Sequence, residues 1–213
     1  MMLVAADSPG IDVRPVISID GGHSLNEVFF DDVEVPAENL VGEVNAGWSY
    51  AKFLLDHERA VSAEVPRNKH MFRQLLAVAG EPVDGQPPLL ENPVFAARVA
   101  EAEVRLAALE FMTLRLLSEQ PQASAQWSAG PVLHIRGSEL QQQLGELMVE
   151  ALQHWGSIHY EEYYDQPPQD YPPGPDYAHG LMADFLYRRA TTIYGGSNEI
   201  QRSLVAKNLL GRF

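Results

Sequence analysis

The chain has 213 residues and a formal net charge of −14, which argues against nucleic acid or an anionic membrane surface as a partner. It has no cysteine, which excludes disulfides, thiolate nucleophiles and cysteine-based metal sites and agrees with the cytoplasmic location that we expect. The N-terminal MMLVAADSPG does not resemble a signal peptide, and no apolar run approaches the ~18 residues that cross a bilayer.

The first 35 residues are predicted to form three extended strands. A short apolar run, MLVAA, ends at the turn signal DSPG. Apolar residues then alternate with polar or smaller ones in residues 11–19 (IDVRPVISI), which predicts a half-buried strand, and residues 26–35 (NEVFFDDVEV) predict another. Because about three strands are too few for a stable sandwich, we expect the sheet to need strands that this polypeptide does not carry.

Residues 47–62 (GWSYAKFLLDHERAVS) have a helical period, with apolar side chains at positions 48, 51, 54, 55 and 61. Glu58 follows Leu54 by four residues and Leu55 by three, so it lies on the same helix face as this stripe. A carboxylate in an apolar stripe either pairs with a buried arginine or caps another element, or it is a catalytic base with a pKa raised by burial. The helix alone leaves these alternatives open.

The rest of the chain is predicted to be a helical bundle. One helix is expected over residues 68–78 after a break or bend near Pro66, and Asn92-Pro93 supplies the cap and first turn of the next. That helix has a seam with the four-three spacing of bundle helices, formed by Phe95, Val99, Ala102, Leu106, Leu109, Thr113 and Leu116. Another helix starts at Pro131 and carries on one face Leu140, Leu144, Leu147, Ala151 and Trp155.

The C-terminal part is predicted to contain a long loop and two helices. Residues 160–177 are rich in proline, tyrosine and acidic residues, which predicts the loop. Helices over residues 177–192 and 198–210 are separated by the turn Gly195-Gly196-Ser197. Two glycines allow close backbone approach, and the free N–H groups of the next helix suit a phosphate. The alternative is a tight helix–helix turn in which Ser197 or Asn198 is only the cap.

Motifs for other chemistry are missing from the sequence. We find no P-loop, no GxGxxG after a strand, no HExxH and no GxSxG. The seven histidines form no convincing pair at metal-ligand spacing with a nearby carboxylate, so no metal site is predicted.

Two long segments resemble the acyl-CoA dehydrogenase family. NEVFFDDVEVPAENLVGEVNAGW is similar to the passage from the family's β-domain into its C-terminal helical domain, and IYGGSNEIQRSLVAKNLLG is similar to its C-terminal signature. The resemblance implies a mainly α fold. Residues 1–45 would be the end of the β-domain, with about three strands, and residues 46–213 the C-terminal up-down helical bundle. The N-terminal bundle of the family and the first part of its β-domain have no counterpart in this sequence.

The resemblance also implies a catalytic base. Family members use a glutamate to remove the α-proton of an acyl-CoA thioester while FAD accepts a hydride from the β-carbon. In many members this glutamate follows the tyrosine of the C-terminal signature, where this chain has Gly195. A second branch, which includes isovaleryl-type and long-chain-type enzymes, places it on the first helix of the C-terminal domain. The matching residue in LLDHERA is Glu58.

By the same resemblance, the turn near the C-terminus would contact the adenosine-pyrophosphate part of FAD. The implied cofactor-binding residues are Gly195, Gly196, Ser197, Asn198 and Gln201. Arg59 and Tyr194, which flank the two candidate positions of the base, are expected to bind substrate. The family's Arg-x-x-Phe-Gly motif is missing from VAGEPVDGQPPLLENP, and the second glycine of its flavin-binding pair is missing from LQHWGSIHY.

With these departures, the chain resembles the large subunits of heteromeric dehydrogenases of the pimeloyl-CoA and steroid-side-chain types. We therefore expect an FAD-dependent acyl-CoA dehydrogenase with an oligomeric partner, either a second copy or a different subunit, and electron-transfer flavoprotein as acceptor. The alternative is a non-catalytic subunit or fragment that stabilises another dehydrogenase chain.

Overall fold

The computed structural model describes residues 1–58, 61–118, 129–159 and 173–211, without the side chains of residues 56–58 and 61. The chain forms two compact units, Met1–Glu58 and Arg59–Phe213. Most of the described backbone is helical, which confirms the predicted fold class. The first helix belongs to the first unit, so the division by packing falls later than the predicted boundary after residue 45.

The first unit contains one antiparallel hairpin. Strand β1 is Ile11–Val16 and strand β2 is Leu25–Phe30, and they pair from Ile11↔Phe30 to Val16↔Leu25. The prediction of about three strands is corrected to two in the described chain. The run MLVAA forms only an isolated bridge, Met2↔Leu40, because its hydrogen bonds go to the loop before the first helix.

The hairpin is not half-buried, although its sequence alternates. All six residues of β2 are exposed, and of β1 only Ile11 is partly covered. Alternation shows which face a strand could bury, but burial needs another layer on that face. Neither face of this hairpin is covered within the described part of the chain, so the prediction of a half-buried strand is wrong.

Helix α1 is Gly47–Glu58, and the apolar stripe predicted on it is exposed. Trp48 is 73% exposed, Leu54 57% and Leu55 56%. Val61, the last predicted member of the stripe, lies in a separate 3-10 helix, Val61–Ala63. Tyr50 ties α1 to the preceding loop, because its hydroxyl accepts a hydrogen bond of 2.9 Å from the Glu43 N–H.

The second unit is a bundle of five helices in the described ranges. They are α2 Val65–Ala79, α3 Pro93–Ser118, α4 Ala129–Ala151, α5 Leu181–Tyr187 and α6 Asn198–Leu210. The predicted break near Pro66 is confirmed, because α1 ends at Glu58 and Pro66 lies in the first turn of α2. The Asn92 side chain caps α3 as predicted, since its Oδ1 accepts from the N–H of Val94 at 2.9 Å. Most of the predicted loop at 160–177 lies outside the described residues, and none of the described helices has the length and apolarity to span a bilayer.

Helix α4 runs through the core of this unit and packs against α2, α3, α5 and α6. The predicted seams are confirmed at most of their positions. Those that are buried are Phe95, Val99, Ala102, Leu106 and Leu109 on α3, and Leu140, Leu144, Leu147 and Ala151 on α4. Trp155 is partly buried in a 3-10 helix, Gln153–Ser157, that follows α4.

Gly137 allows α4 to approach the backbone of the segment before α2. A Cβ at this position would lie 2.5 Å from the Ala63 carbonyl oxygen. The buried Asn68 amide bridges the two segments, because it donates to the carbonyls of Ala63 at 3.2 Å and Gly137 at 3.4 Å. The close approach therefore holds the start of α2 against α4.

We predict that Gly137→Ala lowers the free energy of unfolding by about 1–3 kcal/mol, because the added methyl meets immobile backbone. Gly145→Ala is the matched control on the same helix, since its methyl meets only the Phe185 ring edge, at 3.3 Å. The helix propensity gained there, about 1 kcal/mol, should offset the contact. Urea unfolding followed by circular dichroism measures both, and equal effects of the two substitutions would contradict the prediction.

Candidate functional site

The turn between residues 194 and 198 has the conformation that its two glycines permit. Gly195 has φ +69° and Gly196 has φ +94°, in the left-handed region where side chains are disfavoured. Ser197 caps α6, because its hydroxyl oxygen accepts from the Ile200 N–H at 3.5 Å. The predicted cap and both bounds of α6 are confirmed.

The turn presents a row of free backbone donors. In the part of the chain that the structure describes, the N–H groups of residues 195–198 donate no hydrogen bond. The side-chain amide of Gln201 binds the carbonyl groups of both glycines, since its Nε2 donates to Gly195 O at 3.2 Å and to Gly196 O at 3.4 Å. Free N–H groups at the positive end of a 13-residue helix form a suitable anion site.

Asn198 anchors the start of α6 inside the bundle. Its side chain is buried, and its Oδ1 accepts a hydrogen bond of 3.2 Å from the hydroxyl of Ser138 on α4. Asn198 was predicted to bind the cofactor. Because its side chain is engaged inside the bundle, only its backbone N–H is available for such a contact. The side chain serves to fix the helix that presents the turn.

His134, which the sequence analysis did not select, lies on α4 behind this turn. The side chain is only 6% exposed, and a Cβ on Gly195 would be 3.3 Å from its Cε1. Burial lowers the pKa of His134 from its ordinary value, and the nearby backbone of Gly196 partly opposes that shift. The imidazole is thus held neutral in contact with both glycines.

Tyr194 precedes the turn and faces a group of charged residues. Burial raises the pKa of its phenol, as does the negative charge of Glu64, whereas Arg188 acts in the opposite direction. Glu64 is itself held by Arg67, with an Nε–Oε2 distance of 2.5 Å, and by the Gln141 amide at 3.4 Å. Tyr194 therefore stays protonated and can donate a hydrogen bond to a bound group.

The structure brings together the predicted residues of the turn, whereas the predicted side chains at the end of α1 fall outside the atoms that it describes. Glu58 is the last residue of α1, and neither its side chain nor any part of Arg59 is among the described atoms. Their assignment stays a prediction. Among the described residues, no group of His, Asp and Glu could hold a metal ion.

A pattern on α4 could have revealed the polar side of this region. His134, Ser138 and Gln141 follow each other at spacings of four and three, and all three are buried. Residues at these spacings share a helix face. Metal-ligand spacing between histidines does not detect a polar face of this kind, so the contact of His134 with the turn was not predicted.

A family model described as the C-terminal domain of acyl-CoA dehydrogenase matches residues 45–210. The acyl-CoA dehydrogenase IpdE1 of Mycobacterium tuberculosis is 30% identical over 212 residues, which cover 99% of this chain and 50% of that protein. Cyclohexane-1-carbonyl-CoA dehydrogenase of Geobacter metallireducens is 27% identical over 98% of this chain and 51% of its own length.

The fold has a solved counterpart in the ChsE4-ChsE5 complex from Mycobacterium tuberculosis. The superposition has a TM-score of 0.78 at 22% identity and covers 100% of this chain and 52% of the other. At that identity the likeness establishes the fold alone. The chain spans about half the length of the curated relatives that it matches.

We predict that His134 makes stability fall as the pH is lowered. The unfolded chain protonates this imidazole near its ordinary pKa of 6.5, whereas the folded chain resists protonation, so the contribution is complete above that pH and is lost below it. In His134→Gln the free energy of unfolding should decline less between about pH 7 and pH 5.

Urea denaturation at each pH measures this dependence. His70→Gln is the control, because His70 is an exposed histidine on α2. A decline in His134→Gln as steep as in the wild type would contradict the predicted direction.

Proposed function

The chain belongs to the acyl-CoA dehydrogenase family, and on that premise we propose that it takes part in α,β-dehydrogenation of an acyl-CoA thioester, with FAD as cofactor. The observation that supports this most is the turn at Gly195 and Gly196. It combines close backbone approach, free N–H groups and a capped helix behind it. These properties suit the phosphate part of a dinucleotide.

We propose Glu58 as the base that removes the α-proton. The alternative position in the family falls on Gly195, which has no side chain. Glu64, the next carboxylate along the chain, is held by Arg67 and Gln141 through its Oε2, so it already has a structural role. A base at Glu58 would need a water-poor cleft, where burial raises its pKa towards the working pH and increases its proton affinity.

The residues of the turn fit one part of FAD and leave another without a partner. The N–H groups of residues 195–198 can bind one phosphate, but residues 78–93 contain no arginine for the pyrophosphate. We propose that a partner subunit supplies that charge. When bound, FAD provides the acceptor for the hydride, and Tyr194 and Arg59 are the proposed substrate contacts of this chain.

The exposed surface of the first unit supports an obligatory partner. Trp48, Phe53, Leu54 and Leu55 on α1 and most of the hairpin are exposed. Exposed apolar patches of this kind mark interaction surfaces. We propose a second copy or a different dehydrogenase subunit as the partner, electron-transfer flavoprotein as the electron acceptor, and the cytoplasm as the compartment.

The exposure of α1 also favours a second candidate function. Trp48, Leu54 and Leu55 have the largest side chains in the described part of the stripe, and all three are exposed. A general base, in contrast, needs a dry pocket. If no partner shields this face of α1 from water, the chain would serve as a non-catalytic subunit that stabilises another dehydrogenase. Turnover by a Glu58 variant separates the two candidates.

We predict that Glu58→Gln in the flavin-loaded assembly slows the bleaching of flavin by acyl-CoA about 10²–10⁴-fold, because the amide keeps the shape but cannot take the proton. Stopped-flow absorbance measures the rate. Glu103→Gln, an exposed carboxylate on α3, is the control and should leave the rate unchanged. Bleaching at the wild-type rate in Glu58→Gln would place the base on another chain.

We predict that Gly196→Val abolishes FAD binding while helical content is retained. A Cβ there would lie 2.7 Å from Gln201 Nε2 and would strain a backbone with φ +94°. Gly85→Val is the control, because Gly85 has φ +78° with no atom within 4 Å of the added Cβ. Flavin absorbance and circular dichroism of the purified assembly measure both, and full flavin content in Gly196→Val would refute the phosphate site.

A further inference from the structure

We propose that His134 is the positioning residue of the Gly195–Gly196 turn. Its imidazole packs behind Gly195 and donates a hydrogen bond to the carbonyl of Gly196, which directs the free N–H groups of the turn outwards. This inference rests on the proposed function, because it concerns the same turn, but the shape of the turn can be measured without any cofactor.

The first step is that α4 holds the turn at two points. His134 contacts the glycines, and Ser138, one helical turn later, donates to Asn198 at the start of α6. Helix α4 is the most buried helix of the second unit, so both contacts come from one rigid element. Residues 195–198, which include both contact points, carry the free N–H groups.

The second step concerns the orientation of the ring. The built Cβ position of Gly195 is 3.3 Å from Cε1 and 3.8 Å from Nδ1 of His134, so this edge of the ring faces the turn. Nε2 on the other edge is buried and has no hydrogen-bond partner among the described residues. The backbone of Gly196 interacts with the imidazole. A proton on Nδ1 accounts for these observations, because the edge of the ring that faces the turn then carries the donor for Gly196, while Nε2 carries no proton.

The third step is why a neutral ring is needed here. Gln201 already donates to both glycine carbonyls from the α6 side, so His134 adds a second donor from the α4 side. A carbonyl with donors on both sides cannot rotate, which fixes the N–H group of the following residue in the opposite direction. A lysine or arginine at residue 134 would place an unpaired charge in a buried position.

The test compares His134→Phe, which keeps a ring without the donor, with His134→Gln, which keeps a donor without the ring, and with the exposed His70→Phe. In the full chain without cofactor, NMR of labelled histidine reports the tautomer, and amide shifts with HN–Hα couplings of residues 195–198 report the turn. We expect His134→Phe to change the amide shifts and couplings of the turn alone. His134→Gln should return them part of the way to the wild-type values, and His70→Phe should leave them unchanged.

In the assembly that binds flavin, His134→Phe should weaken FAD affinity by about tenfold, the scale of one lost hydrogen bond. The free energy of unfolding by urea should fall by no more than the scale of one hydrogen bond, which separates positioning from a general loss of stability. An unaltered turn in His134→Phe, an Nε2–H tautomer, or changes spread over the whole bundle would each overturn the proposal. A wild-type assembly that binds no FAD would refute the proposed function, while the NMR result on the turn would stand.

Discussion

The site depends on the contact between α4 and the start of α6. Ser138 binds Asn198 inside the bundle, and Gly137 lets the same helix touch the backbone at Ala63. The Ser138–Asn198 contact fixes where α6 begins, and hence where its unpaired N–H groups point, while the Gly137 contact holds α4 itself in place. Because a buried polar group without its partner costs about 1–3 kcal/mol, the pairing is specific as well as stabilising. The turn at residues 194–198 is therefore an extension of the core of the second unit.

The helical part of the fold was predictable because its signals are local. Asn92 caps α3, Ser197 caps α6, and residues such as Leu140 and Leu144 repeat at the helical period. Caps and periodicity depend on a few neighbouring residues, so they survive without knowledge of the tertiary structure. The glycines of the turn were predictable for the same reason, since only their backbone freedom was needed.

What the sequence could not give is the identity of the layer that covers each apolar face. Periodicity placed Leu54 and Leu55 on one side of α1, and alternation selected a face of β1, but both surfaces are exposed. His134 was missed for a related reason. The spacing of His134, Ser138 and Gln141 marks a buried polar face on α4, but the contact of His134 with Gly195, sixty-one positions later (195 − 134), is not visible in any local pattern.

The packing of His134 against Gly195 limits which side chains residue 195 can carry. A glutamate there would need a left-handed backbone at φ +69°, and its Cβ would lie 3.3 Å from Cε1 of the imidazole. The ring would have to shift by a few tenths of an ångström to admit that side chain, or residue 134 would have to change with it. Residues 134 and 195 are therefore expected to vary together among related sequences.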